Sequence, residues 1–85
     1  MLKIKDDIDM QELENIGFEP NEFIPKYTYE VRSKKRNLVV IEVDENTKEV
    51  CGYVCDCYNT PLPESQIKHH CPELFANDMV EKDGE

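Results

Sequence analysis

The chain has 85 residues and a mass of 10.0 kDa, which is room for one small domain. Ten basic residues against nineteen acidic ones leave a formal net charge of −9, which disfavours direct nucleic-acid binding and favours a basic protein partner. Residues 1–7 lack the apolar stretch of an export signal, and no apolar run reaches the ~20 residues of a membrane span. We therefore expect a cytoplasmic protein with reduced cysteines.

The first predicted element is a short helix from Met10 to Ile16. Asp9 precedes it as a typical N-cap and forms a capping-box pattern with Glu12. Gly17 suits the left-handed conformation that ends helices, and Phe18 is placed to fold back on the helix. Two helical turns are unstable alone, so we expect the apolar side chains of this helix to dock on the rest of the domain.

Three antiparallel strands are predicted next. Apolar and polar residues alternate over 26–32, an aliphatic run follows from Leu38 to Val43, and a third strand covers Val50 to Tyr58. The segments between them are rich in residues that favour turns. The pattern predicts a three-stranded meander with the aliphatic run at its centre.

Two short helices are predicted in the C-terminal region. The first begins near Pro63 and ends at Cys71, and the second runs from Pro72 to about Val80. The charged residues 81–85 are predicted to be a frayed tail. The predicted fold is a single α+β domain, in which a short N-terminal helix precedes a three-stranded antiparallel meander and one or two C-terminal helices pack on the sheet.

The register of the second hairpin decides which residues face the core. A four-residue loop over Glu45–Lys48 pairs Val43 with Val50, which places the β-branched residues on one face and Cys51 and Cys55 on the other. A three- or five-residue loop instead places the cysteines among the core residues. We favour the first register because it collects the β-branched residues on one face.

Cysteines and histidines in the C-terminal half form a candidate metal site. A structural zinc ion requires four thiolate or imidazole ligands in a tetrahedron. Cys55, Cys57 and Cys71, with either His69 or His70, would supply them if the following helix docked over that strand face. In the alternative interpretation the cysteines are small apolar core residues without a metal. A catalytic Cys–His pair is disfavoured, because neighbouring side chains on a helix point apart.

The charges are distributed unevenly along the chain. Residues 26–36 carry five basic side chains and one acidic one, whereas the segments on either side are strongly acidic. The basic tip is predicted to be a solvated turn, and the surplus of carboxylates elsewhere favours a basic partner. The residues predicted to contact a partner are Glu12, Glu14, Asp78, Glu81, Asp83, Lys34, Lys35 and Arg36.

Three segments, Lys3 to Asp9, Glu12 to Phe18 and Val80 to Lys82, carry a resemblance to a group of known proteins. In these segments the chain resembles small phage and prophage proteins of low-GC Gram-positive bacteria. In those proteins a short N-terminal helix of this kind precedes a small antiparallel sheet. The resemblance implies an origin in a mobile element, action inside a bacterial host cell and no enzymatic activity.

The sequence thus predicts a small acidic, non-enzymatic protein–protein interaction module of phage or prophage origin. Its expected partner is a protein with a basic surface, and its expected role is to inhibit or modulate a host nucleic-acid-binding protein. The alternative is a zinc-stabilised binding module built on the Cys/His cluster. We expect a monomer or weak homodimer that binds neither nucleic acid nor membrane directly.

Overall fold

The computed structural model describes residues 2–33 and 37–82. Its strands are β1 (Leu2–Ile4), β2 (Glu19–Pro20), β3 (Lys26–Arg32), β4 (Leu38–Asp44), β5 (Val50–Cys55) and β6 (Val80–Lys82). Its helices are a 3₁₀ helix (Met10–Ile16), α1 (Glu64–His70) and α2 (Glu73–Ala76). The strands form an antiparallel sheet of order β2-β3-β4-β5 and a second sheet that pairs β1 with β6. No helix within the described ranges combines the length and the apolarity that crossing a membrane requires.

The predicted α+β class is confirmed, but the predicted three-stranded meander is wrong. β2 adds a fourth strand beside β3, pairing Glu19 with Thr28 and Pro20 with Tyr27. Proline is tolerated there because an edge strand leaves one side of its backbone unpaired. β1, β2 and β6 have only two or three residues each, and such short strands leave no alternation pattern in a sequence.

The third predicted strand, Val50 to Tyr58, ends early at Cys55. The chain turns after it, because the Asp56 carboxylate accepts a hydrogen bond from the Tyr58 N–H at 2.9 Å. Residues 60–62 then run back antiparallel along β5 and bond to its backbone. This short return covers the outer edge of β5.

The C-terminal helices match the prediction in part. α1 has the predicted extent, but the helix predicted from Pro72 to about Val80 is confined to α2. It ends early because Asp78 takes a left-handed φ of 54°, which a helix cannot accommodate. Glu81 and Lys82, predicted to begin a frayed tail, belong instead to β6, and residues 83–85 lie outside the described residues.

The N-terminal helix has the predicted bounds, although it is a 3₁₀ helix. The Asp9 carboxylate caps it by accepting the Gln11 N–H at 2.9 Å. Gly17 ends it with a φ of 109°, and the Phe18 N–H donates to the Leu13 carbonyl at 3.0 Å. Leu13 and Phe18 are both buried in the core, which confirms that this helix docks on the domain.

The predicted hairpin register is confirmed. Val43 pairs with Val50, Ile41 with Gly52, and Glu42 with Cys51. Because directly paired residues share a face of the sheet, the first two pairs lie on the inner face and the third on the outer face.

α1 packs on the inner face of the sheet, over Gly52. A Cβ atom built at Gly52 would lie 3.1 Å from Leu62 Cδ1 and 3.4 Å from Ile67 Cγ1. Glycine therefore allows the close approach of helix and strand. The core gathers buried side chains from both ends of the chain and from the sheet: Leu2, Ile4, Leu13, Phe18, Tyr27, Ile41, Val43, Val50, Ile67, Cys71, Leu74 and Met79.

Gly17→Ala is expected to destabilise the protein. An L residue is strained at a φ of 109°, and the added Cβ atom would lie 2.9 Å from Tyr29 Cε2. We expect the free energy of unfolding, measured by urea denaturation, to fall by about 1–2 kcal/mol. Gln11→Ala, at an exposed position of the same helix, should change it by less than about 0.5 kcal/mol. Equal stability of Gly17→Ala and the wild type would contradict this account of the helix end.

Asp44→Asn is expected to make the free energy of unfolding less dependent on pH in the acidic range. The Asp44 carboxylate accepts the N–H groups of Thr47 and Asn46 at 3.0 and 2.8 Å, and these bonds lower its pKa. The unfolded chain therefore takes up this proton at a higher pH than the folded chain does. The resulting stabilisation is complete above the ordinary Asp pKa of ~3.9 and is lost as the pH falls through the folded pKa.

The measurement is the free energy of unfolding between about pH 5 and pH 2. Asp44→Asn keeps an oxygen acceptor but cannot titrate, so its stability should fall less steeply than that of the wild type. Asn46→Ala keeps the backbone donor and should retain the wild-type slope. A wild-type slope in Asp44→Asn would show that this carboxylate does not contribute.

Candidate interaction surface

The structure does not bring the predicted zinc ligands together. Cys55 ends β5 and Cys57 lies in the turn after it, both exposed, whereas Cys71 is buried at the end of α1. His69 is exposed and His70 half-buried. Within residues 2–33 and 37–82, no group of three or more His, Cys, Asp or Glu side chains is placed to hold a metal ion. The ligands are divided because α1 packs on the inner face of β5, while Cys55 belongs to the outer face.

Cys71 is a core residue, as the alternative interpretation predicts for it. Burial raises the pKa of its thiol to about 11, so it is protonated at neutral pH and suited to packing rather than to nucleophilic attack. Cys51 lies on the outer face opposite Glu42. Its pKa is also raised, first by partial burial of the thiol and then by the Glu42 carboxylate.

The two histidines at the end of α1 contact each other. Their ring centroids are 5.1 Å apart with the planes at 76°, an edge-to-face arrangement. Burial, and secondarily the neighbouring His69, lowers the pKa of His70. His70 is therefore neutral at neutral pH, and it adds no positive charge to an acidic protein.

Carboxylates from two distant segments of the chain act on the Tyr27 phenol through their charge. The pKa of its phenol is raised first by burial and then by the charges of Glu14, Glu45 and Asp9. Asp9 and Glu14 belong to the cap and body of the 3₁₀ helix, whereas Glu45 begins the loop between β4 and β5. Glu12 lies in the first turn of the same 3₁₀ helix and is also exposed. We call the exposed carboxylates of Asp9, Glu12, Glu14 and Glu45 the acidic surface.

A groove of about 450 Å³ adjoins the acidic surface, between the 3₁₀ helix and the turn after α2. The left-handed Asp78 shapes this turn, and the Met79 N–H donates to the Leu74 carbonyl at 3.0 Å. The chain thereby returns toward the 3₁₀ helix. Three apolar and three polar side chains line the groove: Ile8, Ile16, Met79, Glu12, Asn15 and Asn77.

Lysines near the groove are already paired within the molecule. Lys5 Nζ lies 2.8 Å from Asp78 Oδ1, and this hydrogen bond raises the pKa of Lys5. Lys3 Nζ lies 3.5 Å from Asp6 Oδ1 and 3.9 Å from Glu81 Oε1. Among the lysines that the structure describes, none lies within 4.0 Å of a carboxylate of the acidic surface. The acidic surface therefore keeps a local excess of negative charge.

The residues predicted to contact a partner fall into three groups. Glu12 and Glu14 are exposed on the 3₁₀ helix, and Glu12 also lines the groove. Asp78 lies in the turn after α2 and Glu81 in β6, and both take part in the internal ion pairs with lysines. Asp83, Lys34, Lys35 and Arg36 lie outside the described residues.

The side of the groove formed by the turn after α2 was not predicted from the sequence. The helix predicted from Pro72 to about Val80 leaves no room for this turn, which brings Asn77 and Met79 to the groove. The signal that reveals this turn is the pair Asn77-Asp78, since both residue types tolerate left-handed positions after a helix.

Comparison of the chain with protein-family models, with curated proteins and with solved structures found no match.

The four thiols are expected to react with a disulfide reagent in an order set by burial. At about pH 8 the exposed Cys55 and Cys57 should react first, and Cys51 more slowly because its pKa is raised. Cys71 should react at least about tenfold more slowly still, because its thiolate is scarce and its reaction requires local opening. Cys71→Ala should remove the slow phase and Cys57→Ser a fast one. A single rate for all four thiols would contradict the burial of Cys71.

Proposed function

We propose that this protein is a small acidic, non-enzymatic protein–protein interaction module that binds its partner through the acidic surface and the adjoining groove. The position of Glu12 carries the proposal, because this residue belongs to the acidic surface and also lines the groove. A partner seated in the groove meets apolar walls and uncompensated carboxylates together.

The two parts of the surface have different physical roles. Carboxylates at a rim attract an oppositely charged partner and accelerate association, and salt screens this attraction over ~8 Å at physiological ionic strength. The half-buried apolar side chains Ile8 and Ile16 supply contacts that hold the complex once water is excluded. Steering by charge and retention by apolar contact together support a binding role.

The non-enzymatic part of the proposal is supported by the burial and the protonation state of Cys71. This cysteine follows His69 and His70 in the sequence, and its thiol is buried and protonated at neutral pH. A thiol in that state is a poor nucleophile. The exposed acidic surface is suited to contact with a macromolecule.

The partner that fits this surface is a protein with lysine and arginine side chains around an apolar patch. Proteins that bind nucleic acids present basic surfaces to the phosphate backbone, and carboxylates compete for the same surfaces. We therefore propose that the module inhibits or modulates a nucleic-acid-binding protein. The segment from Lys3 to Asp9 resembles phage and prophage proteins. We therefore propose that the protein acts in the cytoplasm of a bacterial host.

The double variant Glu12→Gln/Glu14→Gln tests the acidic surface. The wild type, immobilised and exposed to a bacterial lysate at about 0.05 M salt, should retain a basic protein and release it at about 0.5 M salt. The double variant should retain about tenfold less of that protein, because it lacks two steering charges. The matched control Glu30→Gln/Glu49→Gln loses the same charge from exposed positions outside the acidic surface and should retain the wild-type amount.

Three results would count against the proposed function. They are the absence of any retained protein at low salt, equal loss of binding in both double variants, and direct binding of duplex DNA by the wild type.

A further inference from the structure

The loop between β2 and β3 presents an exposed aromatic side chain. Phe23 is 91% exposed and the adjoining Ile24 is 44% exposed. Single exposed apolar residues are common on protein surfaces and need no explanation. This pair differs in two respects, because its loop is held in one conformation and because it adjoins the acidic surface.

The conformation of the loop is held by Asn21. Its side-chain oxygen accepts the N–H groups of Phe23 and Ile24 at 2.8 and 3.3 Å. Its own N–H donates to the Lys26 carbonyl at 2.8 Å and closes the loop at its base. These hydrogen bonds constrain the backbone that carries Phe23 before binding, so less backbone conformational entropy is lost in a complex.

A second contact joins the loop to the acidic surface. The Glu45 N–H donates to the Pro25 carbonyl at 2.9 Å, and the Glu45 carboxylate is part of the acidic surface. Glu22, also exposed, adds a carboxylate next to Phe23 in the chain. The exposed apolar pair thus has acidic neighbours, which is the charge complement of an apolar pocket with a basic rim.

We propose that Phe23 and Ile24 are the apolar anchor of the module and insert into an apolar pocket, rimmed by lysine and arginine, on the partner protein. The proposal rests on the proposed function and adds the contact that gives the complex its lifetime. The partner is a different protein and not a second copy, because each copy carries a net charge of −9 and like charges repel.

Tyr58 is a matched control for Phe23. It is 86% exposed, but it lies in the turn after Cys55, at the end of the sheet where Leu38 pairs with Cys55. The Phe23 loop contacts Glu45, at the opposite end of the same hairpin. A partner bound specifically by the Phe23 loop should therefore not contact Tyr58.

The experiment places a photo-reactive phenylalanine analogue at position 23 or at position 58 of the full chain. Each protein is irradiated in a bacterial lysate at low salt, and the cross-linked peptides are sequenced. Position 23 should cross-link to a peptide that contains both apolar and basic residues. An excess of unlabelled wild type should suppress this cross-link, and an equal excess of Phe23→Ala should not. Position 58 should give no cross-link to that peptide.

Variants measure the strength of the contact with the cross-linked protein after its purification. Phe23→Ala should bind at least about tenfold more weakly than the wild type, with Phe23→Leu between them and Tyr58→Ala unchanged. The urea midpoint of Phe23→Ala should match that of the wild type, because the ring is exposed in the folded chain.

The outcomes separate this inference from the function on which it rests. Salt-sensitive retention that depends on Glu12 and Glu14, without a competed cross-link at position 23, would overturn the anchor and leave the proposed function standing. The same holds for a cross-link from position 23 to another copy of the chain, or for equal weakening by Phe23→Ala and Tyr58→Ala. Absence of any retained protein would overturn both.

Discussion

The direct pairing of Val43 with Val50 is the constraint on which the rest of the structure depends. Side chains alternate along a strand, so this one pair assigns every residue of β5 to a face. It places Gly52 on the inner face, where Ile67 of α1 approaches closely, and Cys51 on the outer face. A slip of one residue would bring Cys51 under α1 and remove the space that glycine provides. The separation of Cys71 from Cys51 and Cys55 follows from this pairing together with the packing of α1 on the inner face.

The distribution of charge on the surface depends on the pairing of β1 with β6. Lys3 and Lys5 lie where β1 joins β6, and their ammonium groups are taken up by nearby carboxylates. Ion pairs at a protein surface contribute little to stability, but these pairs remove Lys3 and Lys5 as partners for the 3₁₀ helix. Among the described residues, no lysine ammonium lies within 4.0 Å of the Glu12 or Glu14 carboxylate, and Glu12 lies at a groove with both apolar and polar side chains. Repulsion among surface carboxylates opposes folding, and binding of the proposed basic partner would relieve it.

Elements governed by local chemistry follow from the sequence, and elements made by distant pairing do not. The bounds of the 3₁₀ helix are predictable because Asp9 and Gly17 act within a few residues of their own positions. β2 and β6 are unpredictable because each exists only through a partner strand elsewhere in the chain. Within the candidate site, Glu12 and Glu14 are recognisable from charge, whereas Met79 reaches the groove only because the chain turns at Asp78.

The amino-acid order by itself determined the α+β class, the excess of negative charge, the ends of the first helix and the faces of the β4–β5 hairpin. Each of these depends on composition or on interactions between residues close in the chain. Only the tertiary structure decided that Cys71 is buried whereas Cys55 is exposed, and that the charges of Glu14 and Glu45 both act on Tyr27. The residues concerned are separated by 16 positions in the first case and 31 in the second. Packing between segments so far apart in the chain does not produce a local sequence pattern.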